Sequence, residues 1–154
     1  MNDLLSAFDI TGRVVLITGA SSGFGRHFAD VMAQSGARVV LAARRTELVE
    51  VARDEIVAAG GQAMAVSMDV TSSASIAAAL DVIESEFGVA SIVINNAGIT
   101  IPKLLLDLSD EDWENVVDTN LKGVAFVTRE AAKRMIAADV GGSVINIASI
   151  LAVR

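Results

Sequence analysis

The stretch LITGASSGFGRHFA, residues 16–29, decides how this chain is read. An apolar run breaks into three glycines, Gly19, Gly23 and Gly25, and then returns to helix-like spacing. The apolar part reads as a strand over 13–18, and the segment from Gly23 to about Ser35 as a helix. Glycines at such a junction fit a plain βα turn, which tolerates one or two of them without a ligand. They also fit a phosphate-binding loop.

Outward from that junction, short apolar runs alternate with amphipathic ones. Strands are expected at 37–43, 62–67, 90–95 and 143–148. Residues 46–59 read as a helix with Thr46 as its N-cap and Val49, Ala52 and Ile56 along one face. Ile76, Leu80, Ile83 and Phe87 mark the next helix. Ser109-x-x-Asp112 has the form of a capping box, and its acids complement the dipole of a long helix running toward residue 137. Gly141-Gly142 is expected to stop that helix. The order is βαβαβαβαβ, and the strands are continuously apolar rather than alternating. That pattern implies parallel strands covered by helices on both sides. Right-handed crossovers then make a Rossmann-type doubly wound parallel sheet of order 3-2-1-4-5.

The composition agrees with one such domain spanning residues 1–154. The chain is 53% hydrophobic with a mean hydropathy of +0.55. No apolar run approaches the roughly 20 residues that cross a bilayer, so no membrane partner is expected. The opening MNDLLSAFDI lacks a basic n-region and is not read as a signal peptide. Cysteine is absent, which excludes disulfide and thiolate chemistry and fits a cytoplasmic location. A net charge of −7 argues against a nucleic-acid-binding surface. His27, the single histidine, is expected at the surface, and Trp113 in the core. The acids of DLSDEDWE are read as a helix start and not as a metal site.

In a doubly wound sheet, ligands bind at the carboxyl ends of the strands where the order reverses, here at the first and fourth strands. Gly19 then allows a tight turn off the strand. Gly23 removes the Cβ that would block a pyrophosphate, and Gly25 lets the helix pack closely on the sheet. The helix N-terminus offers N–H groups and a positive dipole end to the phosphates.

The spacing is T-G-x-x-x-G-x-G, and four further features follow it in order. They are Asp69-Val70 after the third strand, Asn95-Asn96-Ala97-Gly98 closing the fourth, Asn120 in DTNLKG, and Ser149 in INIAS. With these motifs the whole chain resembles the short-chain dehydrogenase/reductase family. It is similar to its 3-oxoacyl-acyl-carrier-protein reductase-like and sugar-acid dehydrogenase-like members. The resemblance implies cofactor contacts from Gly19, Ser21, Ser22, Gly23, Phe24 and Gly25, from Asp69 and Val70, and from Asn96, Ala97 and Gly98. On its own residues, Asp69 fits either an adenine acceptor or a turn Asp. Asn95 and Asn96 fit either ties between strand ends or cleft-lining amides. A mid-helix Asn120 is disfavoured by propensity. The resemblance implies that it opens the helix and holds a proton-relay water, and that Ser149 binds the substrate oxygen as a catalytic residue.

The dinucleotide rule expects an acid at the end of the second strand, bonding the ribose 2′-hydroxyl of NAD. Here that place reads Ala42-Ala43-Arg44-Arg45. With no carboxylate to repel a 2′-phosphate, Arg44 can pair with it, which favours NADP(H) over NAD(H). Both arginines also fit solvated charges opening the next helix.

The resemblance further implies a catalytic Y-x-x-x-K roughly a dozen residues past the serine. These 154 residues contain no tyrosine and stop at Arg154. The expectation is therefore a cofactor-binding part, truncated before that motif, leaving the fifth strand an uncovered edge. When complete, it is expected to interconvert a secondary alcohol and a ketone as a homo-oligomer acting on a small molecule. Alone, it is expected to be an inactive nucleotide-binding module. A purely structural role would instead show no cofactor affinity.

Overall fold

A computed structural model describes residues 8–149. The readings of the N-terminal leader and of the chain end at Arg154 lie largely outside the described residues. Five parallel strands, β1 (Val14–Thr18), β2 (Arg38–Ala43), β3 (Gln62–Ser67), β4 (Ile92–Asn95) and β5 (Ser143–Asn146), form one sheet of order β3-β2-β1-β4-β5. The connecting helices are α1 (Gly23–Gln34), α2 (Thr46–Ala58), α3 (Ser73–Glu86), α4 (Asp110–Val117) and α5 (Gly123–Ala137).

The apolar continuity of the strands follows from burial on both faces. Val14 and Leu16 of β1 face a cluster that includes Ile76 and Leu80 of α3 and Val127 and Ala131 of α5. Val15 and Ile17 face the opposite cluster, with Ala29 of α1 and Val49, Ala52 and Ile56 of α2. Alternate residues of one strand thus serve two cores, which is why no polar residue interrupts it. β5, at one edge of the described sheet, differs: Val144 and Ile145 are exposed, as is Ile147 just after the strand.

α4 and α5 are one helix interrupted by a π-helical turn at Asp118–Lys122, where Gly123 N–H reaches the Asp118 carbonyl. The expected capping box is present: Ser109 Oγ accepts from the Asp112 N–H at 3.1 Å, and Asp112 Oδ2 accepts from the Ser109 N–H at 3.0 Å.

Three expectations are corrected. Thr46 is the first residue of α2 rather than its cap; Arg45 holds the cap position, without a side-chain cap bond. The long helix ends at Ala137, as expected, but the glycines are not what stops it: Asp139 adopts the left-handed conformation (φ 54) that follows the helix, which a short polar side chain tolerates. Gly142 serves packing instead: a Cβ there would lie 2.6 Å from the Ser91 carbonyl. Trp113 is 61% exposed, not core, because α4 buries none of its residues.

Candidate active site

The carboxyl ends of β1, β2, β3 and β4 open onto a cleft of about 560 Å³. It is lined by Gly19, Ser21 and Ser22 from the glycine-rich loop, Arg44 and Arg45 after β2, Asp69, Val70 and Thr71 after β3, and Ala97 and Gly98 after β4. Eight residues singled out by sequence are thus brought to one surface.

The glycines hold the loop in shape. Gly19 has φ +66, and a Cβ there would lie 2.7 Å from the Ala97 Cα. Gly25 sits so close to the turn that a Cβ would lie 2.6 Å from the Gly19 carbonyl and would collide with the Asn96 amide nitrogen. At Gly23 (φ +59) a Cβ would meet nothing within 4 Å, so the space facing the loop is open. Gly23, Phe24 and Gly25 are not among the cleft-lining residues; they form the first turn of α1, which follows the loop. Phe24 is exposed and stacks on Phe28 with ring centroids 6.2 Å apart.

That first turn lacks what a helix start ordinarily has. No side chain caps α1, and no acid lies in its first turn, whereas α4 has a full capping box and three acids. Its N–H groups and dipole end are therefore suited to an anion. The open loop, uncapped helix and two arginines fit a dinucleotide phosphate donor set.

The asparagines act as ties. Asn95 is buried and donates to Thr128 Oγ1 (3.0 Å) and Asn146 Oδ1 (2.9 Å), joining β4 to α5 and β5. Asn96 Nδ2 donates to the carbonyls of Thr18 (3.1 Å) and Gly19 (3.2 Å), fastening β4 to the glycine loop. The buried Thr18 Oγ1 accepts in turn from Asn96 N and Ala97 N. Asn96 is not among the cleft-lining residues, whereas the next two, Ala97 and Gly98, are.

Asp69 Oδ1 accepts from the N–H (2.9 Å) and hydroxyl (2.8 Å) of Thr71. Burial pushes this carboxyl up, but the Thr71 bonds and the Arg44 charge outweigh it and hold it below the ordinary aspartate range. Val70 packs against the start of α5, where a Cβ on Gly123 would lie 2.9 Å from its Cγ2.

Asn120 lies in the π-helical turn and outside the cleft lining, while its neighbour Thr119 lies within it. Ser149 is exposed beyond Asn146, on the carboxyl side of the sheet. His27 is exposed, as expected. The cleft also includes Ala43, Arg45, Met68, Thr71, Ile99 and Thr119. Sequence reasoning did not assign these to the site. Arg45, a cation beside Arg44, had a visible signal; Ile99 and Thr119 had none.

The sheet order and the cleft at its switch point together define a Rossmann-type doubly wound domain. The short chain dehydrogenase family profile matches residues 13–154, and the chain belongs to that family. It is 37% identical over 150 residues to 2-dehydro-3-deoxy-D-gluconate 5-dehydrogenase of Escherichia coli (strain K12), covering 96% of this chain and 58% of that protein. A short-chain type dehydrogenase/reductase from Mycobacterium marinum superposes with a TM-score of 0.91 at 38% identity, over 95% of this chain and 59% of its own. A metagenomic short-chain oxidoreductase in complex with NADP superposes with a TM-score of 0.85 at 36% identity, over 92% of this chain and 64% of its own. The chain thus spans little more than half the length of the curated relative it matches.

Proposed function

We propose that these residues are the NADP(H)-binding part of an oxidoreductase that interconverts a secondary alcohol and a ketone. The observation that carries the reading is the end of β2: Arg44 and Arg45 line the cleft, and Ala43 stands where a carboxylate would oppose a 2′-phosphate. The NADP complex of the metagenomic relative supports the choice. When bound, the nicotinamide exchanges a hydride with the substrate carbon. Of this chain's residues, Ser21, Ser22 and the α1 N-terminus hold the phosphates, and Asp69 accepts from the adenine amino group. Ala97 and Gly98 leave room for the second ribose.

Ser149 donates to the substrate oxygen, where charge develops in reduction. Asn120 acts through the π-turn that it anchors; such turns are common at functional sites. The final proton donor is a tyrosine, which these 154 residues do not contain. A polypeptide of these residues alone is therefore a nucleotide-binding module without turnover. The complete protein works in the cytoplasm as a homo-oligomer on a small alcohol or ketone, without nucleic-acid or membrane partners.

The test is steady-state reduction of a ketone panel by a protein carrying these residues together with the Y-x-x-x-K motif. Ser149→Ala is expected to lower turnover on the order of 100- to 1,000-fold while leaving NADPH affinity unchanged. Near-normal turnover removes Ser149 from the site, and turnover by the 154-residue polypeptide overturns the assignment of the proton step.

A further inference from the structure

The end of β4 carries a buried amide that packing alone does not call for. Asn95 is 2% exposed and follows the apolar Ile92, Val93 and Ile94. Both protons of its Nδ2 are committed, one to Thr128 Oγ1 of α5 (3.0 Å) and one to Asn146 Oδ1 of β5 (2.9 Å). Its Oδ1 is buried with no hydrogen-bond partner among the described residues. An apolar side chain of similar shape would fill the place without an orphaned acceptor, and such an orphan costs stability. Departures of this kind from the packing rules belong to functional places.

The strand ladder shows what the amide positions. Asn95 and Asn146 are register partners, and the Ile147 N–H donates to the Asn95 carbonyl at 2.9 Å just past that pair. Asn95 therefore holds the outgoing end of β5 by its main chain and by its side chain, while Thr128 fixes the side chain from the helix. β5 pairs with β4 alone among the described strands. Ser149 follows Ile147 by two residues. Thr128 is not among the cleft-lining residues.

We propose that Thr128, acting through Asn95 and Asn146, is a positioning residue for Ser149. The proposal rests on the reading of Ser149 as the donor to the substrate oxygen. Removing the Thr128 hydroxyl frees one proton of the Asn95 amide, which can then turn about its own bond. Asn146 loses its fixed partner, and the segment that carries Ser149 loses its aim.

The test is steady-state ketone reduction and NADPH titration with a protein carrying these residues together with the Y-x-x-x-K motif. The variants are Thr128→Val, Thr128→Ser, Asn146→Ala and Ser149→Ala, with Thr128→Val and Asn146→Ala each also combined with Ser149→Ala. Thr128→Val and Asn146→Ala are expected to lower kcat roughly tenfold and to leave NADPH affinity within about twofold, because misplacement of a reacting group falls on turnover. Thr128→Ser keeps the hydroxyl and restores turnover. In the Ser149→Ala background neither substitution costs anything further, since the group they position is gone. A merely structural tie lowers turnover by the same factor in both backgrounds, and that result refutes the proposal. Full turnover in folded Thr128→Val and Asn146→Ala refutes it too, while a crippled Ser149→Ala leaves the Ser149 reading standing. Asn146 is exposed, so its variant carries the test if Thr128→Val does not fold. Near-normal turnover in Ser149→Ala defeats the Ser149 reading itself, and the positioning role with it.

Discussion

Asn120 and Ile99 are joined through both ends of the asparagine amide: Oδ1 accepts from the Ile99 N–H at 2.9 Å, and Nδ2 donates to the Ile99 carbonyl at 2.9 Å. The side chain imitates a peptide unit and pins the segment after β4 to the π-helical turn. Asn120→Ala is expected to cost about 1–3 kcal/mol of stability, the loss of two bonds. It should also speed hydrogen exchange at the Ile99 amide. Unchanged exchange there would show that the bridge does not hold the segment.

Gly25 and Gly23 should respond differently to the same added methyl group. Gly25→Ala forces atoms against the Gly19 carbonyl and the Asn96 amide, and overpacking of this kind costs about 1–3 kcal/mol. Gly23→Ala has open space but a left-handed backbone (φ +59), which costs about 1–2 kcal/mol. The Gly23 variant should fold and bind dinucleotide poorly, since its methyl group occupies the space facing the loop. Denaturant unfolding and calorimetry on both variants check this; unchanged affinity in folded Gly23→Ala would make the loop a plain turn.

Lys103 and the two Ser109 bonds pull the Asp112 carboxyl down to about 2, against an ordinary 3.8. A depressed carboxyl pKa contributes stability that is present above the unfolded value and lost as pH falls through the folded one. The capping box should therefore weaken between about pH 4 and pH 2. Thermal unfolding of the parent and of Asp112→Asn should differ at pH 5 and converge toward pH 2. A difference that stays constant across this window would show that Asp112 ionisation does not support the α4 start.

Residues whose local chemistry admits one arrangement were legible in advance. The T-G-x-x-x-G-x-G spacing placed the β1–α1 junction, and Ser109-x-x-Asp112 placed the start of α4. Two-sided burial made β1, β2 and β4 readable as parallel strands, and that reading led to the sheet order. Trp113 was misplaced because helical periodicity marks an apolar face without saying whether the face meets a core or solvent. The end of α5 near residue 137 was legible, but its stop signal was not, because Asp139 took the left-handed position that Gly141 and Gly142 advertised. Arg45 was passed over because adjacent arginines look alike in sequence, and only the chain path brings one of them into hydrogen-bond contact with Ser21. Ile99 and Thr119 reach the cleft solely through the loop after β4 and the π-turn, neither of which has a pattern of its own.

The central claim is that the cleft beyond β1 and β2 binds a dinucleotide through the arginines that follow β2. The most direct measurement is fluorescence titration of NADPH and NADH into the parent protein and Arg44→Ala. A charge-assisted contact is worth on the order of 1.5–3 kcal/mol, so the parent should bind NADPH roughly tenfold or more tightly than NADH. Arg44→Ala should erase much of that difference while NADH affinity holds. Equal affinities in the parent, or a preference that survives Arg44→Ala in full, would contradict the account.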